Sequence, residues 1–328
     1  MKILSPAFSF LVTLGLLAWL SRSKVAAAVL DRPNQRSLHS TPVPRIGGIG
    51  MATGIATGWL LASSATPLSI VAGGCVLFGL SLLDDVFGIS VATRLGAHLL
   101  VAAGFVITAM PSAATPTPWL SVVLTLAVAW MTNLYNFMDG SDGLAGGMTL
   151  FGFGFYAAAA GLAGYPMFSL TSLSIASAAA AFLIFNFYPA RIFMGDTGSI
   201  PIGFLAAAFG ISGWLERIWP IWFPILVFSP FIVDASATLV KRVFRREKIW
   251  QAHREHYYQR LVQIGWGHRK TAVVEYALMI AAGLSGLGGI LLPEAGQIAF
   301  CVMWIAIYCA LMTHAERLWQ RFRAGDNP

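Results

Sequence analysis

The sequence predicts an all-α, polytopic transmembrane bundle of about eleven helices, with the N-terminus outside and the C-terminus cytoplasmic. Three observations carry that prediction. Of the 328 residues, 57% are apolar and only 11% charged, and the mean hydropathy of +0.72 lies outside the range of soluble domains. The apolar residues fall in blocks of roughly 17–22, the length a helix needs to cross the hydrocarbon core. The Lys and Arg residues lie between those blocks, biased strongly to alternate loops.

In chain order the blocks cover about 4–20, 46–66, 69–87, 94–110, 119–137, 147–164, 169–187, 199–214, 218–240, 272–292 and 296–314. Lys2 precedes the first block, while Arg22 and Lys24 follow it. The excess of positive charge after the block marks an uncleaved anchor that starts outside and ends in the cytosol, although Ala26-Ala27-Ala28 imitates a cleavage site. From that start, about 19 of the 21 Lys and Arg fall on cytoplasmic loops, leaving Lys2 and Arg217 on the other face. The same bias explains the isoelectric point near 9.6, so no nucleic-acid partner is expected and the bilayer is the chain's principal surroundings.

The organisation expected is one integral membrane domain over 1–328, with cytoplasmic loops 21–45, 138–147, 188–198 and 241–271 forming the active face. Pro33, Pro42 and Pro44 predict that the first of these is extended and turn-rich, not helical. The last mixes basic residues with Trp250, Tyr257, Tyr258 and Trp266, which suits a short helix lying in the headgroup layer. Cys75, Cys301 and Cys309 lie inside apolar blocks without C-x-x-C spacing, so neither zinc nor a disulfide framework is expected. No long internal repeat is visible, which weakens a transporter built from inverted halves.

A charge at the bilayer centre costs at least about 2.5 kcal/mol, so the positions of the 14 acidic residues are informative. Asp84 and Asp85 end the third block, Asp139 and Asp142 follow the fifth, and Asp196 precedes the eighth. All five fall on the face assigned from basic residues alone. Asp142 or Asp196 could serve only as a cap for the helix that follows. As a group, however, five carboxylates brought together repel one another without a cation. With Asn133 and Asn136 beside them, they offer the oxygen-rich surroundings of Mg²⁺, which takes one or two carboxylates plus substrate phosphate. Gly140, Gly143, Gly146, Gly147, Gly195 and Gly198 would let backbone N–H groups approach anionic oxygens, and Asp196-Thr197-Gly198-Ser199 opens a helix N-terminus that favours phosphate. Gly47-Gly48-Ile49-Gly50 is no dinucleotide fingerprint, because no strand precedes it.

His253 and His256, three residues apart with Arg254 between them, suit donors to a diphosphate better than a zinc pair, since no third ligand is evident. His39, with Arg32, Arg36 and Arg45, supplies similar donors from the first loop, whereas His98 and His314 sit in apolar stretches and read as packing residues.

Five ordered stretches then carry a resemblance across nearly the whole chain: D-R-P-N-Q-R-S-L-H-S-T-P-V-P-R-I-G-G, L-D-D-V-F-G, N-L-Y-N-F-M-D-G-S-D-G-L-A-G, N-F-Y-P-A-R-I-F-M-G-D-T-G-S and H-R-E-H-Y-Y-Q-R-L. Together they resemble the polyprenyl-phosphate N-acetylhexosamine-1-phosphate transferases, which include the enzyme that starts O-antigen chains and the muramoyl-pentapeptide transferase of cell-wall synthesis. The resemblance implies transfer of a sugar-1-phosphate from a UDP-N-acetyl sugar to undecaprenyl phosphate, with release of UMP. It further implies Mg²⁺ dependence, with Mn²⁺ as substitute, and an active site on the cytoplasmic face of the bacterial inner membrane. Asp84 and Asp85 match the paired aspartates, the first as base or nucleophile. Asn136, Asp139 and Asp142 match the acidic loop, and Asp196 matches a Mg²⁺ ligand, with Asp85 and Asn136 as further metal candidates. His253 and His256 match the histidine loop that contacts the nucleotide-sugar, and Asn133, His39, Arg45, Arg191 and Arg254 complete the substrate-binding candidates. H-R-E-H-Y-Y-Q-R-L looks most like the O-antigen-initiating branch handling N-acetylfucosamine or N-acetylquinovosamine phosphates, with N-acetylglucosamine as the other sugar. A homodimer is compatible with this family.

Two other functions fit the sequence less well. A CDP-alcohol phosphotransferase needs D-G-x-x-A-R, yet Gly146 stands where Arg is required and the downstream aspartates are missing. An ion-coupled transporter needs ionisable groups near mid-membrane, and only Asp234, near Pro230, hints at one.

Overall fold

A computed structural model describes residues 2–33, 37–62, 66–110, 118–248 and 253–325, apart from the side chains of Asp85 and Val86. Arg36 and Trp250 therefore lie outside the described residues, as does the side chain of Asp85. The helices are α1 (Ser5–Leu20), α2 (Lys24–Ala28), α3 (Gly47–Ala62), α4 (Leu68–Phe87), α5 (Val91–Ala109), α6 (Pro118–Phe137) and α7 (Leu144–Leu162). They continue with α8 (Pro166–Asn186), α9 (Asp196–Leu215), α10 (Trp222–Val227), α11 (Ser229–Phe244), α12 (Tyr257–Leu261), α13 (Gly267–Gly289) and α14 (Glu294–Ala324). Among the described residues, eight helices are long and apolar enough to cross a membrane, and α3 and the stretch Leu68–Asp84 of α4 are shorter apolar helices. The protein is a multi-pass membrane protein.

Every apolar block coincides with helix, but the ninth is divided. α10 and α11 meet at Phe228, and Pro230 stands in the first turn of α11. Proline has no N–H to donate into the preceding turn, so the chain restarts there instead of running through. The first loop also departs from expectation. It contains the single turn of α2, capped by the Ser23 hydroxyl accepting from Val25 N–H, and a two-residue antiparallel pair, β1 (Leu30–Asp31) with β2 (Val43–Pro44). Neither element is long enough to leave a periodic signal in the sequence.

α9 is the centre of the bundle, buried along most of its length, and it packs against α3, α4, α6 and α7. Its small residues allow this, because helices inside a membrane associate by close packing and not by a hydrophobic gain. A Cβ on Gly203 would fall 2.7 Å from the Met131 carbonyl oxygen of α6. α14 lies at the periphery and exposes Ile298, Val302 and Ile305, as α5 exposes Leu100 and Ile107. Contiguous apolar surface of that kind is the face a spanning helix presents to lipid.

Candidate active site

The loops that follow α1, α6, α8 and α11, with the start of α5 that follows α4, converge at one end of the bundle around a cavity of about 850 Å³. Those are the alternate loops that the charge bias assigns to a single face.

The acidic loop after α6 is held from several sides. The Gly143 N–H donates to Asn186 Oδ1 at 3.0 Å, Asn186 Nδ2 donates to the Ile192 carbonyl at 2.9 Å, and Ala190 N–H donates to Asp142 Oδ2 at 2.9 Å. Asp142 therefore does not cap α7, whose N-cap is Gly143 at φ 77°. It fastens the acidic loop to the Tyr188–Arg191 turn. The first loop is zipped onto the stretch before α9 in the same way, with Gly47 N–H to Phe193 O, Gly48 N–H to Met194 O and Phe193 N–H to Pro44 O, all at 2.9 Å.

Asp196 sits in the first turn of α9, where the helix N-terminus favours its charge. It is no side-chain cap, since Gly195 is the N-cap. Asn136 Nδ2 donates to Asp196 Oδ1 at 2.9 Å and to Ser199 Oγ at 3.0 Å. Both donations come from the amide nitrogen, so Asn136 Oδ1 remains an acceptor. Asp139 shares this region and accepts the Gly195 N–H. Burial first, and then the charge of Asp196, push its carboxyl well above the usual carboxylate range, against the pull of Arg45 and that N–H.

Arg94, at the start of α5, bridges the acids: its Nη1 lies 2.7 Å from Asp84 Oδ2 and 3.4 Å from Asp196 Oδ2. Asp84 also accepts the Ile89 N–H at 2.6 Å. Arg94 lines the cavity and Asp84 does not, so Asp84 stands behind the arginine and orients it. Arg45 pairs with Asp31 at 2.7 Å, and His39 stands 3.9 Å from the same carboxylate with its ring edge-on to Phe193. Asn133 Oδ1 lies 3.2 Å from His98 Nδ1, and both line the cavity, so His98 is more than a packing residue.

His253 and His256 line the cavity with ring centroids 4.9 Å apart. Burial, helped by His256 and Arg242, pushes the His253 imidazole down to about 4, so it is neutral at pH 7. Its Nδ1 accepts the Glu255 N–H at 3.3 Å, which leaves the proton on Nε2 as a neutral donor. Gln places an amide N–H close to where Nε2 sits. His253→Gln is therefore expected to keep turnover within about threefold of wild type, and His253→Ala to lose roughly tenfold, the range of one neutral hydrogen bond. Equal losses in steady-state kinetics would contradict this role.

Two predicted binding residues lie outside the cavity lining. Arg191 is exposed; its Nη2 donates to the Ile184 carbonyl at 3.0 Å and its guanidinium covers the Phe185 ring. Arg254 also does not contribute to the lining, although its carbonyl accepts from Gln263 Nε2 at 3.1 Å. His268 is the reverse case. Its Nδ1 takes Ser141 Oγ at 2.9 Å and Asp142 N–H at 3.3 Å, its Nε2 lies 3.3 Å from the Leu38 carbonyl, and its ring stacks on Tyr188. One imidazole thus joins three loops. Its only trace in the sequence is a histidine at the edge of a basic loop, indistinguishable there from topology-setting charge.

Among the described residues, no three His, Cys, Asp or Glu side chains form a group able to hold a metal alone. The donor set fits Mg²⁺ all the same. Asp139, Asp196 and Asn136 Oδ1 are hard oxygen donors beside an open cavity, and Mg²⁺ usually keeps waters and completes its shell with substrate phosphate.

Residues 67–213 match the family model described as Glycosyl transferase family 4. Over 294 residues the chain is 28% identical to the probable undecaprenyl-phosphate N-acetylglucosaminyl 1-phosphate transferase of Bacillus subtilis (strain 168), covering 85% of this chain and 82% of that protein. It is 29% identical over 288 residues to the decaprenyl-phosphate N-acetylglucosaminephosphotransferase of Mycobacterium tuberculosis (strain ATCC 25618 / H37Rv), covering 74% and 71%. It is also 25% identical over 316 residues to the phospho-N-acetylmuramoyl-pentapeptide-transferase of Staphylococcus saprophyticus, covering 88% and 97%. With its apolar helices and its cluster of loop-borne acids, the chain is a multi-pass membrane protein similar to these polyprenyl-phosphate and phospho-N-acetylmuramoyl-pentapeptide transferases, and its residues 67–213 match the glycosyl transferase family 4 model.

Proposed function

We propose that this protein transfers an N-acetylhexosamine 1-phosphate from a UDP-sugar to undecaprenyl phosphate, releasing UMP, at the cytoplasmic face of the bacterial inner membrane, and so starts a lipid-linked cell-envelope glycan such as O-antigen. The observation that carries the reading is the mixed polar and apolar lining of the cavity. Asp139, Asp196, Asn136, Arg45, Arg94 and the histidines give its lining polar and charged groups, while Val91, Leu95 and Leu99 of α5, Leu126 and Trp130 of α6, and Leu239 of α11 give it apolar ones. A phosphate on a long hydrocarbon chain needs both surfaces at once.

A phosphate monoester has a second pKa of about 6, so the acceptor is mostly deprotonated at pH 7 and needs no strong base. Its oxygen attacks the sugar-linked phosphorus of the donor in line; the new P–O bond forms as the bond to the bridging oxygen breaks, and UMP leaves with that oxygen. Both reactants are anions. Arg94, held by Asp84, and Arg45, held by Asp31, bring positive charge to the cavity wall and offset their repulsion. Mg²⁺, held by Asp139, Asp196 and Asn136 when bound, supplies further neutralisation of the diphosphate. His39, His253 and His256 supply donors for the donor's polar groups.

The transporter alternative has lost its one support. Asp234 spends its carboxylate oxygens on backbone N–H groups of α12 and is not a free ion ligand.

Incubating the purified protein with undecaprenyl phosphate, Mg²⁺ and UDP-linked N-acetylglucosamine, N-acetylfucosamine or N-acetylquinovosamine tests the reading. UMP release that requires both acceptor and metal is expected with one or more of the three. The relatives' names favour the first sugar and the histidine stretch the two 6-deoxy sugars, so their rates decide the sugar. No UMP from any of them would overturn the proposal.

A further inference from the structure

Asp234 of α11 is buried, does not line the cavity, and has no part in the chemistry described above. Its Oδ1 accepts the Tyr257 N–H at 2.9 Å and the Thr238 hydroxyl at 3.2 Å, and its Oδ2 accepts the Tyr258 N–H at 2.9 Å. His256 Nδ1 stands 3.3 Å from Oδ1. These contacts fall on the first two amides of α12, which runs on into a π turn at Val262–Trp266. The first amides of any helix lack partners within it. A carboxylate lent by a neighbouring helix supplies both partners. The next contact reaches the acids: the Tyr258 hydroxyl donates to the Phe137 carbonyl at 3.1 Å, two residues before Asp139.

We propose that Asp234 is the positioning residue of the histidine loop. It grips the Tyr257 and Tyr258 amides, fixes His253 and His256 relative to Asp139 and Asp196, and thereby sets affinity for the nucleotide-sugar and not the rate of phosphoryl transfer. This inference rests on the transferase reading above. It depends on two acceptor oxygens. Asn in place of Asp offers one, and turns an N–H donor toward whichever amide loses its partner.

The test is Asp234→Asn in the purified full-length protein, with two readouts. Without substrates, amide hydrogen exchange across residues 253–261 is expected to quicken at least about tenfold, with α7 and α9 unchanged. With UDP-N-acetylglucosamine, or the best sugar of the panel, and undecaprenyl phosphate, the donor KM should rise at least about tenfold, while kcat stays within about threefold and the acceptor KM does not move. Adding His256→Ala to Asp234→Asn should cost no more than the larger single change, as expected when one residue acts through the other. Unchanged exchange in residues 253–261, an unchanged donor KM, or additive losses would each overturn the proposal, even if the variant unfolds at a lower temperature. Should Asp234→Asn not fold, Thr238→Val weakens the same carboxylate's setting, and an unchanged donor KM there is equally contrary. If the wild type turns over no UDP-sugar, the transferase reading fails, and the exchange measurement still decides whether Asp234 anchors the loop.

Discussion

Asp196→Asn is expected to lower turnover by at least about a thousand-fold, the scale of losing a charged group at a phosphoryl-transfer centre. The substitution keeps the shape of the side chain and removes its charge. In the native site that charge stands in the first turn of α9, faces Arg94 at 3.4 Å, accepts from Asn136 at 2.9 Å and acts on the Asp139 carboxyl. Without it, Arg94 keeps only Asp84, and the oxygen donors proposed for Mg²⁺ lose one of their two carboxylates. The residual activity should need more Mg²⁺ for half-saturation, and the unfolding temperature in detergent should change by only a few degrees. Arg191→Ala, outside the cavity lining, should stay within about twofold of wild type. Wild-type turnover in Asp196→Asn would remove the centre of the proposed site.

Gly48→Ala should cost about 2–4 kcal/mol of stability or prevent accumulation of the folded protein, by forcing apart two backbones. A Cβ on Gly48 would lie 2.3 Å from the Gly198 nitrogen and 2.6 Å from the Thr197 carbonyl carbon, both in the first turn of α9. Neither atom is a flexible side-chain end that could turn away. The same contact sets the site, because Gly48 N–H donates to Met194 O and Asp196 follows two residues later. Gly104→Ala on α5 is the control. No atom lies within 4 Å of its Cβ position, and replacing glycine inside a helix should be neutral or mildly stabilising. Thermal unfolding in detergent compares the two. Equal behaviour would show that the start of α3 yields where the close approach of α9 says it does not.

The bundle was legible because the cost of charge in lipid writes itself into the sequence: the apolar blocks coincide with helices, the ninth with two, several within a few residues of the expected ends. The exceptions have local causes. α13 begins at Gly267 and not near 272, because His268, Arg269 and Lys270 read as loop while the helix runs through them. α14 continues to Ala324, past the end of its apolar stretch, with Lys241 and Arg260 both meeting Glu316 there. Of the cavity lining, Asp139, Asp196, Asn136, His253 and His256 could be singled out by residue type and position. Arg94 could not. In the sequence it counts as one more positive-inside charge, and only folding sets it between Asp84 and Asp196. His268 and Asp234 act through partners 126–127 and 22–24 residues away in the chain, separations that no spacing rule encodes.

In the proposed reaction a phosphosugar, and not a bare sugar, passes to the lipid. UDP-N-acetylglucosamine, or the preferred sugar of the panel, carrying ³²P in its β-phosphate tests it directly, with undecaprenyl phosphate, Mg²⁺ and the purified protein. The label is expected to move into the organic-extractable lipid as unlabelled UMP is released, and none should remain on the protein when the acceptor is omitted. Label retained in free UDP while sugar reaches the lipid, or label trapped on Asp84 without acceptor, would contradict direct transfer in the cavity described here.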